Sequence, residues 1–180
     1  MLEITLPETE LFDEATETFI NIKETTLRLE HSLVSISKWE SKWKIPFLDR
    51  KDKTREQSID YVRCMTINQG VDPMVYSAIT PDIMDTINKY IVENKTATTF
   101  RENAGTAPNR QIVTSEVIYF WMAQYNIPFE CQKWHLSRLL ALIRIASIKN
   151  QPDKKMSKAA TLSQYKNLNA IRRRAMHSKG

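Results

Sequence analysis

A cysteine and a histidine stand four residues apart in ECQKWHLSRLLALIRI: Cys131 and His135, with Trp134 beside the histidine and an apolar run behind it. On one helix the two side chains would lie a turn apart and could hold a metal ion or form a thiolate–imidazole pair. A structural zinc needs four ligands, and the other candidates are Cys64, His31, His177 and scattered carboxylates, with no CxxC or HxxxH spacing among them. A Cys–His nucleophile needs a base held across a cleft and a third group to orient the imidazole. Beyond His135 come Leu136, Leu139, Leu140, Ile143, Ile145 and Ile148, the composition of a core helix. The segment therefore reads as packing, with Cys131 a small buried apolar side chain and His135 hydrogen-bonded near the helix's start.

Other chemistry has less to stand on. Three glycines in the whole chain build neither GxxxxGK[ST] nor GxGxxG. Carboxylate pairs such as Asp82 with Asp85, or Glu14 with Glu17, are spaced for a helix surface, where they solubilise rather than hydrolyse glycosides. No enzyme, no cofactor and no metal is expected.

Among the elements that would position these residues, LEITL alternates Leu2, Ile4 and Leu6 with Glu3 and Thr5 until Pro7, the pattern of a half-buried strand. FINIKETTLRLEH continues extended, with a turn expected at Lys23–Thr25. From Ser32 the period lengthens: Leu33, Ile36, Trp39 or Glu40, and Trp43 line one helical face that Pro46 ends. Thr54 with Gln57 is a capping box opening a helix through Ile59, Val62 and Ile67, with Gly70 as its terminator. Thr80 and Pro81 open a third helix carrying Ile83, Ile87, Tyr90 and Ile91. Residues 95–110 read as a long loop, and Thr114 or Ser115 caps a nearly all-apolar helix over Ile118, Trp121, Met122 and Tyr125. Ala159, Leu162, Tyr165, Leu168 and Ile171 predict a last, amphipathic helix with a basic face. The expected fold is α+β and mainly α: a small two- or three-stranded N-terminal antiparallel sheet (1–30), a helical core of about five helices (31–150) and a basic C-terminal helical tail (151–180).

Charge is divided along the chain. The net charge is +5 and the pI about 9.2. Residues 1–30 hold eight acids against Lys23 and Arg28, whereas no acid follows Asp153. The tail's cations are Lys154, Lys155, Lys158, Lys166, Arg172, Arg173, Arg174 and Lys179. A basic tail suits nucleic acid, an acidic partner protein, or the acidic arm of another copy; it can also simply be solvated. One aromatic, Tyr165, gives nucleobases little to stack on. With 42% apolar and 26% charged residues and no charged-then-apolar leader, the chain is expected to be soluble, cytosolic and off the membrane. Cys64 and Cys131 are expected to be free thiols. Trp43, between Lys42 and Lys44, and Phe47 in the turn after it are the aromatic candidates for partner contact, alongside Lys154, Lys155, Lys158, Arg172, Arg173 and Arg174.

LEHSLVSISKWESKWKIPFL (29–48), ATTF (97–100), IYFWM (118–122), IPFECQKWHLSRLLALIRI (127–145) and KKMS (154–157) together resemble the tail assembly chaperones of long-tailed bacteriophages and the small tail proteins associated with them. The resemblance runs in order over roughly residues 1–175. It implies a non-enzymatic protein that coats and solubilises the helical tape measure protein in the host cytoplasm during virion assembly. It also implies contact with other tail proteins, with a frameshifted longer form of itself, or with further copies in a homo-oligomer. The alternatives from other classes are a permanent component of the tail or baseplate, located in the virion tail, and a nucleic-acid-binding regulator that uses the basic tail.

Overall fold

The computed structural model describes residues 1–13, 17–49, 51–100, 112–150 and 158–176. It is α+β and mainly α, and divides into two compact units, residues 1–146 and 147–180. The strands belong to the same unit as the helical core rather than to a separate arm, because Leu6, Leu27 and Leu29 are fully buried in that core.

Four short strands, β1 (Leu2–Leu6), β2 (Thr9–Asp13), β3 (Thr18–Ile22) and β4 (Thr25–Leu29), form two antiparallel pairs, β1 with β4 and β2 with β3. The register runs on in step from one pair to the other: Leu6 faces Thr25 and Thr9 faces Ile22. The N-terminal region is thus one long hairpin ladder whose last pair is Asp13 with Thr18, and the turn expected at Lys23–Thr25 is only an interruption opposite Pro7. Proline brings no N–H to the ladder there. Local bonds fill in, with Thr9 Oγ1 donating to the Pro7 carbonyl (3.1 Å) and Thr25 Oγ1 to that of Lys23 (2.9 Å). Across this break the ribbon changes the side it buries. The base half buries Leu6, Leu27 and Leu29, and the tip half buries Ile22 from the opposite face.

The helices begin where side chains can satisfy their free N–H groups. Helix α1 (Leu33–Trp43) opens with a reciprocal Ser32–Ser35 box, and α2 (Arg55–Met65) with the expected Thr54–Gln57 box. Helix α3 (Pro81–Val92) is capped by Thr80 with Pro81 in its first turn. Helix α1 stops at Lys44, which takes a left-handed φ of 57°. Helix α2 ends well before Gly70, because the chain turns extended to pair with β4. Glu30 N donates to the Met65 carbonyl (3.0 Å) and Ile67 N to that of Arg28 (2.8 Å). Asn68 completes this edge with its side chain, accepting from Arg28 N (2.7 Å) and donating to the Thr26 carbonyl (3.1 Å).

Helix α4 (Ser115–Gln124) has Thr114 at its cap position without a capping side-chain bond. The buried carboxylate of Glu40 on α1 serves instead, taking Ser115 N on Oε2 and Phe47 N on Oε1, both at 2.7 Å. Helix α5 (Leu136–Lys149) starts later than the sequence suggests. Residues 129–133 form a 3₁₀ turn and Trp134 is extended, so Cys131 and His135 do not share a helix. Trp39 sits at the centre of the core, 1% exposed, its Nε1 donating to the Gln57 carbonyl (2.9 Å) and its ring edge-on to Phe47. Helix α6 (Lys158–Ala175) lies in the second unit.

Candidate partner-binding surfaces

The Cys131 and His135 environment is structural. Cys131 is buried on its 3₁₀ turn, and His135 stands where α5 begins, with its main chain bridged to Ser32. Ser137 N (3.3 Å) and Ser137 Oγ (2.9 Å) meet His135 Nδ1, while Nε2 lies 3.2 Å from the Tyr90 carbonyl. An acceptor at Nδ1 and a donor at Nε2 describe one neutral tautomer. His31 packs edge-on to His135, with centroids 5.2 Å apart, and Tyr61 Oη is 2.6 Å from its Nδ1. Burial, then the neighbouring His135, lowers the His31 pKa to about 4 against a weaker upward pull from Glu30, and burial also lowers that of His135. Tyr90 Oη donates to Glu30 (2.7 Å), which also binds the Met1 amine (2.8 Å). Both imidazoles are about 5% exposed or less, and this network ties hairpin, α2, α3 and α5 together. Among the described residues no three His, Cys, Asp or Glu converge as metal ligands, and no helix is long and apolar enough to cross a membrane.

The aromatic candidates divide. Trp43 is half-buried, with Nε1 donating to Asp60 Oδ2 (2.9 Å), and Lys42 Nζ reaches Asp60 Oδ1 (2.5 Å). A pocket of about 490 Å³ opens beside it, where Lys42, Arg55 and Arg63 surround Asp60 and Glu56. Phe47 is a correction. At 8% exposure it fills the core against Trp39 and Tyr61, with ring centroids 5.2 and 4.0 Å away, and offers no surface to a partner. Its neighbours Ile45 and Leu48 take the outward positions of that turn.

Of the basic candidates, Lys154 and Lys155 lie outside the described residues. Lys158 opens α6, and Arg172, Arg173 and Arg174 occupy its exposed last turn, where cations also complement the helix dipole. Leu162, Tyr165, Leu168 and Ile171 are all exposed on α6. A three-residue spacing makes this row wind around the helix, inclined about 45° to its axis, so the apolar face is a spiral rather than a straight stripe.

Two exposed aromatic groups were not singled out by spacing. On α4 and the turn after Pro128, Phe120 is 64% and Phe129 53% exposed. Tyr119, beside Phe120, holds the Phe129 ring at 6.4 Å and donates to Gln132 Oε1 (2.8 Å). At the hairpin's outer half, Phe12 and Phe19 face each other across the ladder. The signal for the first was present: a helix apolar all round cannot bury every side against one neighbour. Comparison of the chain with protein-family models, curated proteins and solved structures finds no match.

Proposed function

We propose that this protein is a non-enzymatic assembly factor of a bacteriophage tail, a chaperone that binds the tape measure protein and keeps it in solution until the tail tube forms around it. The observation that carries the reading is the aromatic edge of α4 and the following turn, where Phe120 and Phe129 are more than half exposed beside Tyr119. Large apolar side chains left exposed on a surface are suited to gripping the apolar face of a partner helix. The same segments, 118–122 and 127–145, carry much of the resemblance to tail assembly chaperones. The buried histidine pair, His31 meeting Tyr61 through Nδ1 and His135 held at both ring nitrogens, leaves the most chemistry-like residues of the chain as braces of this scaffold.

Affinity capture of the chain from infected cells, together with mass spectrometry of purified virions, tests the reading. Tape measure protein in the captured fraction is expected, lost in a Phe120→Ser, Phe129→Ser variant, with the chain absent from virions. Presence in virions at a fixed copy number would replace the chaperone by a permanent tail component, a role for which the outer half of the hairpin offers an attachment ribbon. Salt-sensitive duplex binding abolished by removing residues 154–180 would replace both by a nucleic-acid-binding role.

A further inference from the structure

The outward face of β2 and β3 pairs Phe12, 53% exposed, with Phe19, 73% exposed, at a centroid distance of 5.1 Å. Alternation along a strand puts Glu10 on that face with Phe12. Glu8 joins it, since Asn21 Nδ2, beyond Phe19 on the same side, donates to Glu8 Oε1 (3.1 Å). Both glutamates are exposed, as is Glu17 just before β3. The surface is an aromatic pair flanked by carboxylates.

Helix α6 presents the reverse combination. Leu162, Tyr165, Leu168 and Ile171 are between 43% and 63% exposed, and Lys166, Arg172, Arg173 and Arg174 stand among them with no acid anywhere in residues 154–180. On the helical wheel Arg172 falls between Tyr165 and Leu168, while Lys166 and Arg173, seven residues apart, share a line. The dimensions agree as well. A five-residue ladder spans about 14 Å from first to last residue, and the rise from Leu162 to Ile171 is also about 14 Å.

We propose that α6 of one copy lies across the Phe12–Phe19 face of the hairpin of a second copy. Guanidinium groups of Arg172 and Arg173 meet Glu8 and Glu10 through charge-assisted hydrogen bonds, and the apolar row covers the two phenylalanine rings, over which an arginine plane can also stack. The two surfaces differ, so the contact is heterologous: every joint leaves one hairpin and one helix free, and copies can continue to add. This inference does not depend on the tape measure protein. Self-association and capture of a partner are separate measurements, and either can fail alone.

Sedimentation velocity of the full chain is the test. Concentration-dependent association is expected at about 0.1 M salt and at least tenfold weaker at about 1 M, where the screening length falls from about 10 Å to about 3 Å. Phe12→Ser with Phe19→Ser, and Arg172→Glu with Arg173→Glu, should each yield monomers with unchanged melting temperature, all four side chains being exposed. An equimolar mixture of the two variants contains one intact hairpin and one intact α6, and should recover pairs but nothing larger. A wild-type chain that stays monomeric in low salt, including one whose own α6 covers its own hairpin, overturns the proposal. So does association that survives either double substitution.

Discussion

His31 shows how much a single buried side chain can make the fold depend on pH. Its environment excludes water first, adds the adjacent His135, and receives only a partial counterweight from Glu30, so its pKa in the folded chain is about 4 against 6.5 when unfolded. A lowered histidine pKa means that the fold prefers the neutral ring. The stabilisation is therefore complete above about pH 6.5, declines as the pH falls through the interval to about 4, and is exhausted below it. The displacement corresponds to about 3 kcal/mol. Denaturant titrations between pH 7.5 and 3.5 should show that loss, and His31→Phe should flatten the slope across this interval whatever it does to absolute stability. A wild-type profile that is flat from pH 6.5 to 4 would mean that the ring is already charged or solvated in the native state.

Among elements, the starts of α1, α2 and α3 were legible because a cap is a local device: Ser32, Thr54 and Thr80 each lie within three residues of the N–H they satisfy. The start of α4 was also placed correctly, with Thr114 at the cap position, but the group that serves it was not legible, since it comes from Glu40, far away in sequence. Glu40→Ala should cost about 2–4 kcal/mol by leaving two buried N–H groups without their charged acceptor. Thr114→Ala at the nominal cap should stay within about 0.5 kcal/mol, and thermal or urea unfolding of the two variants checks the contrast. The end of α2 escaped prediction for a related reason. Ile67 continues the helical spacing, but pairing with β4 competes for the same backbone groups and prevails. Strand order was hidden by the continuity of the hairpin, in which Lys23 and Glu24 resemble a turn yet interrupt two collinear strands. Of the candidate surface residues, the exposed last turn of α6 was readable from its charge. Phe47 was not, because only the three-dimensional arrangement of Trp39 and Tyr61 reveals the slot it fills.

For the molecule as a whole, the division of charge seen along the chain becomes a division between structures: a hairpin rich in carboxylates in the first compact unit and a helix of cations in the second. The association proposed through such surfaces is useful only if other routes to association are closed. The outer side of β4 is where that matters, because a strand edge with free N–H and C=O groups is a template on which any extended peptide can build. Asn68 occupies it with one primary amide, answering Arg28 N and the Thr26 carbonyl as a neighbouring strand would. Asn68→Ala should therefore leave the helical circular dichroism unchanged at low temperature while lowering the temperature at which light scattering rises. A variant that scatters no earlier than the wild type would show that the edge is guarded elsewhere. Earlier scattering in that variant would mean that one uncharged side chain, added to the Met65–Ile67 main chain, closes an edge whose hazard is set by backbone geometry and registers in neither pI nor mean hydropathy.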